Sequence, residues 1–207
     1  MIALVAAVLF SAGSLSATTL AEAPPPDLAP AVRALLAPAG ARVTSAGTTL
    51  DFWFVKSLPL QAGAAPSWQQ AEEGTIVGAV RVSAVYRDIR GRTIKPGSYT
   101  LRYGIQPANG DHLGVSPFRE FLLLSPAAAD TDVKPTGHEG SVELSKQTIG
   151  GSHPAVWSLD PPALSEGAAP LSTRTNDAGH EAIVFEVPTS SGTPLRFGLI
   201  LVGKIDA

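Results

Sequence analysis

Apolar and polar side chains alternate with period two in several stretches of this chain, and each such stretch predicts a strand. Ser98 to Ile105 alternates most cleanly, with Tyr99, Leu101, Tyr103 and Ile105 on one face and Thr100 and Arg102 on the other. Thr48 to Val55 is β-branched and aromatic on both faces, which predicts a central strand. From Ile76 to Tyr86, Val80, Val82, Ala84 and Tyr86 oppose Arg81, Ser83 and Val85. Phe118 to Leu124, Ala182 to Val187 and Leu195 to Val202 are further apolar runs, and Pro154 to Leu159 is a shorter one. Helical spacing occurs twice. Leu28, Val32, Leu35 and Leu36 predict a short helix from Leu28 to Ala37, capped by Asp27 and stopped by Pro38 and Gly40, and a second is predicted over Val142 to Thr148. Leu58 to Gly74, interrupted by Pro59, Gly63 and Pro66, predicts a loop. About seven strands separated by turn residues predict an all-β fold, a single two-layer antiparallel β-sandwich with one or two short helices.

Between two of these strands, Lys95-Pro96-Gly97 supplies a turn. Ile94-Lys95-Pro96-Gly97-Ser98-Tyr99-Thr100-Leu101 resembles the I-x-P-G-x-Y-x-L turn and strand of transthyretin-like and carboxypeptidase-regulatory-like β-sandwich domains. That resemblance implies a fold and carries no active site. Tyr99 to Leu124 as a whole is similar to a group of exported bacterial proteins without an assigned activity, so no chemistry comes with it.

The first residues break the pattern. Ile2 to Leu15 carries no charge and runs into small residues ending at Ala21. This reads as a secretory leader over residues 1–21, cut between Ser16 and Ala21, followed by a proline-rich spacer over 22–27 and one domain over 28–207. No Lys or Arg precedes the apolar run, a departure from the usual leader. The run falls short of the ~20 residues of a membrane span, so the expectation is a periplasmic or secreted protein with no span after cleavage. The absence of cysteine excludes disulfides, thiolate metal sites, a thiol nucleophile and a lipid anchor on Cys. A net charge of −3 with scattered Lys and Arg leaves no footprint for nucleic acid.

Candidate chemistry concentrates in the connection from Gln106 to Glu120, which holds Asp111, His112, Arg119 and Glu120 among turn formers. Imidazole needs an acceptor to fix its tautomer, so Asp111 or Glu120 could orient His112 as a metal ligand or acid–base group; the competing reading is a turn built by side-chain hydrogen bonds, with Arg119 and Glu120 as an ordinary ion pair or strand-face pair. The four histidines, His112, His138, His153 and His180, form no local metal motif. A copper or zinc centre would need His112, His153 and His180 to converge through folding. Asp130-Thr131-Asp132 begins like a calcium loop but loses its third ligand at Lys134. Trp68, in a proline-flanked loop, is the candidate platform for a sugar ring. Arg87-Asp88-Ile89-Arg90-Gly91-Arg92 reads as a solvated hairpin end rather than an anion site. No hydrolase motif is present, although Ser116 or Ser152 could meet a histidine in space. The leading expectation is a non-catalytic extracytoplasmic module that binds a ligand or protein partner, with a histidine metal protein and a hydrolase as alternatives.

Overall fold

A computed structural model of the chain describes residues 15–45, 47–107 and 118–203. Twelve strands form among them: β1 Ser16–Leu20, β2 Gly40–Ser45, β3 Thr48–Phe54, β4 Ile76–Val82, β5 Tyr86–Arg87, β6 Thr93–Ile94, β7 Gly97–Ile105, β8 Glu120–Pro126, β9 Ala155–Asp160, β10 Thr173–Thr175, β11 Glu181–Val187 and β12 Leu195–Val202. The two α-helices are α1, Pro30–Leu35, and α2, Gly137–Ile149. No helix among the described residues is long and apolar enough to cross a membrane.

The fold is predominantly β and antiparallel, but it is not the predicted seven-strand, two-layer sandwich. Ten strands join in one sheet in the order β1-β2-β3-β4-β7-β8-β9-β12-β11-β10, with β5 and β6 paired as a separate hairpin. The sheet curls into a nearly closed, barrel-like form because its strands carry large apolar residues toward one shared interior. Phe52 of β3 lies 5.1 Å from Phe185 of β11, and Phe54 lies 5.8 Å, edge-on, from Phe197 of β12. A parallel bridge between Leu58 and Thr189 ties the two halves together beyond β3 and β11. Between β9 and β12 only Leu159–Leu199 and Asp160–Gly198 pair, so the turn of the sheet falls there.

Two strands lie where other features were predicted. Gly40 to Ser45, hidden behind helix-stop residues, forms β2, and Ser16 to Leu20, inside the predicted leader, forms β1 and pairs with β2 along its whole length. Leu15 and Leu20 are buried, the Trp53 indole donates to the Glu22 carbonyl at 2.8 Å, and the Glu22 carboxylate accepts from Arg42 and Arg81, which also hold buried Asp51.

The outer face of the sheet is also covered, on one side by α2. Its sheet-facing residues Ser141, Ser145 and Thr148 are small and buried; Ser145 exchanges hydrogen bonds with the Ala155 backbone and Thr148 donates to the Leu124 carbonyl, so the helix sits close on β8 and β9. What holds the start of α2 is Arg102, fully buried on the outer face of β7. Its guanidinium meets Asp130 through two parallel bonds of 2.7 and 2.6 Å, and its remaining hydrogens go to the carbonyls of Gly74, Asp132 and Lys134. All five donors are used, so this buried charge is both paired and solvated by protein. Gly74 has φ +83°, and a Cβ there would meet the backbone nitrogens of Thr136 and Gly137 at 2.5 Å, so that contact needs glycine twice over. Asp130, the opening residue of the calcium-like stretch, is thus committed to Arg102.

Two outcomes follow. Asp130→Ala strands a buried guanidinium and lowers unfolding free energy by about 3–5 kcal/mol, measured by urea denaturation. A chain starting at Glu22 melts about 10 °C below one starting at Leu15, because it lacks β1 and two buried leucines; equal melting would show that β1 adds nothing to the fold.

A candidate anion-binding cleft

The β5–β6 hairpin turn is organised by Asp88, whose Oδ1 accepts from the backbone nitrogens of Arg90 and Arg92 at 3.0 and 2.8 Å. Burial raises the Asp88 carboxyl above its usual range, against the opposing pull of those two N–H groups. The turn does not stand in solvent. Ile89 is buried against Ala182 and Ile200 on the outer face of β11 and β12, and the Arg92 guanidinium donates to the Pro154 carbonyl at 2.9 Å. The predicted solvated hairpin end is therefore corrected: Ile89 anchors the turn to the sheet and brings its arginines over β9.

Between this turn and α2 lies a cleft of about 350 Å³. Arg90 and Arg92 line it from the hairpin, His138 and Lys146 from α2, Ser152 and His153 from the segment before β9, and Gln106 and Pro107 from the end of β7. Its apolar surface comes from Phe121, Val142, Val156 and the two prolines, Pro107 and Pro154. Phe121 can lie over β7 because the facing residue is Gly104, where a Cβ would come within 2.6 Å of its ring. Among the described residues no carboxylate lines the cleft, although the whole chain is net negative at −3. Lys146 and His138 have acidic partners outside the lining, Glu143 at 2.5 Å and Glu73 at 3.1 Å.

Arg90 differs. Its Nε is buried and has no hydrogen-bond partner among the described residues. Burial first, then the neighbouring Arg92 charge, draws its guanidinium below the usual arginine range, with Asp88 opposing. Two guanidinium groups held side by side at the cleft are an arrangement a bound anion would relieve.

Asp111 and His112 lie outside the described residues. Arg119 and Glu120 do not pair: Arg119 is exposed and donates to the Gln106 carbonyl at 3.2 and 2.7 Å, while Glu120 accepts from the Gln69 amide at 2.6 Å. These contacts clamp the described base of the connection, whose Gln106 and Pro107 reach the cleft. Trp68 is corrected as a sugar platform, because it is 1% exposed, stacked on Tyr103 at 5.3 Å and edge-on to Phe197 at 5.0 Å. Of the proposed metal ligands, His153 lines the cleft, whereas His180 is buried at the start of β11 and does not. No group of three metal-ligating side chains occurs among the described residues.

Arg90, Arg92 and Lys146 were missed as site residues because their convergence is nonlocal. The only local signal was the Arg-Gly-Arg turn itself. Comparison with protein-family models, curated proteins and solved structures finds no match.

The cleft geometry makes one outcome specific. Gly104→Ala displaces the Phe121 ring, so it weakens ligand binding at the cleft several-fold while lowering the melting temperature by only a few degrees; titration calorimetry and thermal melting separate the two.

Proposed function

We propose that this protein is a non-catalytic extracytoplasmic binding module that holds a small organic anion in the cleft between the β5–β6 hairpin and α2. The observation that carries this reading is the lining: two arginines and a lysine, beside two histidines, over an apolar floor, with no acidic residue among the described residues of the lining, in a chain of net charge −3. Positive groups gathered in a concave, partly apolar site strengthen attraction for an anion well beyond what the same charges achieve on an open surface. The volume lies at the lower end of the range for small-molecule sites, which suits a compact ligand rather than a polymer.

Export rests on the apolar run from Ile2 to Leu15 and the small residues that follow it to Ala21. The expected cut, between Ser16 and Ala21, falls at β1, so an exported chain in this reading keeps Glu22 with its ion pairs to Arg42 and Arg81 and loses part or all of that strand.

Anilinonaphthalene sulfonate, an aromatic anion whose fluorescence rises on binding, is the direct probe. Folded protein binds it at one site, more weakly as salt rises, and Arg92→Glu combined with Lys146→Glu reduces affinity at least tenfold without altering far-UV dichroism. Unchanged affinity in the double variant would rule the cleft out. Incubation with p-nitrophenyl esters, with and without Ser152→Ala, separates binding from hydrolysis: turnover lost on that substitution would favour the hydrolase reading.

A further inference from the structure

The same cleft carries an inference about ligand class, which rests on the anion-binding reading. We infer that the ligand is a phosphate monoester with a ring-bearing or otherwise apolar body, its phosphate taken by Arg90 and Arg92 and its body laid on Phe121, Val142 and Val156.

The argument begins with donors. The Asp88 turn sets Arg90 and Arg92 one residue apart on either side of Gly91, and both side chains reach the cleft. Arg92 spends one terminal nitrogen on the Pro154 carbonyl, which fixes its plane and leaves its other hydrogens available. The Arg90 Nε is buried, so what Arg90 offers a ligand in the cleft is the outer end of its guanidinium. Two guanidinium groups side by side present more N–H donors than the two oxygens of a carboxylate use in one bidentate pair. A phosphate monoester offers three terminal oxygens and close to two negative charges, so it can face both forks at once. Lys146 and His138 are already paired with Glu143 and Glu73, and the two arginines share the buried Asp88 carboxylate between them, so the cleft keeps an excess of positive charge for an anion.

The apolar side of the cleft argues against inorganic phosphate as the whole ligand. Phe121 and Val156, with Leu123 and the partly buried Val142, form a separate apolar cluster on the outer face of β8 and β9 whose rim lines the cleft. An ion filling only the arginine end would leave that patch hydrated; an ester whose body covers it gains the transfer of apolar surface out of water.

A further property follows from the cost of burying Arg90. In ligand-free protein Arg90 is placed for binding rather than for stability, so Arg90→Gln removes a desolvated, repelled charge and does not lower the melting temperature.

Calorimetric titration with phenyl phosphate, benzoate and inorganic phosphate tests the class. Phenyl phosphate binds at least tenfold more tightly than either of the others, Arg90→Gln and Arg92→Gln each lose at least tenfold for phenyl phosphate, and Arg87→Gln, in the same hairpin but outside the cleft, does not. Vesicles containing phosphatidic acid form a further arm: sedimentation of the protein with them, lost in Arg90→Gln, would assign the phosphate to a lipid headgroup, and its absence would assign it to a soluble ester. Benzoate bound as tightly as phenyl phosphate, with both lost in Arg90→Gln, would overturn the phosphate assignment and leave the anion site standing. Failure of all three anions would overturn both. A melting temperature that falls by more than about 5 °C in Arg90→Gln would make Arg90 a structural group and remove it from the site.

Discussion

A fully bonded guanidinium on the wrong side of a strand organises this molecule. Arg102 points away from the aromatic interior, yet it is as buried as any core residue, because the segment from Asp130 to Lys134 and the carbonyl of Gly74 close over it. Removing that charge from water is tolerable only with every donor satisfied, which obliges the segment before α2 to adopt one path. The path delivers Thr136 and Gly137 against Gly74 and starts α2 at a set place over β8 and β9. One wall of the cleft, carrying His138 and Lys146, is therefore positioned by an interaction that never touches it.

The opposite wall is built by different means. The β5–β6 hairpin is too short to be stable alone, and it holds because Tyr86 donates to the Leu201 carbonyl, Ile89 packs on Ala182 and Ile200, and Asp88 bonds the turn from within. Those contacts leave Arg90 and Arg92 little freedom to move apart. The site is thus pre-organised from both sides, and the Arg90 Nε within it is one of several buried polar atoms, Trp68 Nε1, Trp157 Nε1 and Asp88 Oδ2 among them, that have no hydrogen-bond partner among the described residues.

The strand pattern was legible where one face is apolar and the residues are close in sequence: β7 and the apolar runs that became β8, β11 and β12 fall where alternation or an apolar run places them. The closure of the sheet was not legible, because it depends on Phe52 meeting Phe185 across more than a hundred residues, and no local period reports that. β1 was obscured by chemistry that serves two readings at once: small and β-branched residues, Ser16 to Leu20, suit both a leader's end and an edge strand. Thr100 and Arg102 were placed on the correct face, but nothing in the alternation says that a helix and a loop cover it. The anion cleft was visible only as an Arg-Gly-Arg turn; its partners on α2 and before β9 lie some fifty residues on or more, and only the fold brings them together.

The most direct test of the account is nuclear magnetic resonance of the arginine side chains during titration with phenyl phosphate. The guanidinium N–H signals of Arg90 and Arg92 should shift downfield and exchange more slowly as the ligand saturates its site, with the Phe121 ring signals moving in the same titration. Guanidinium signals of both arginines that are unmoved at saturation, with the perturbations falling elsewhere on the molecule, would contradict it.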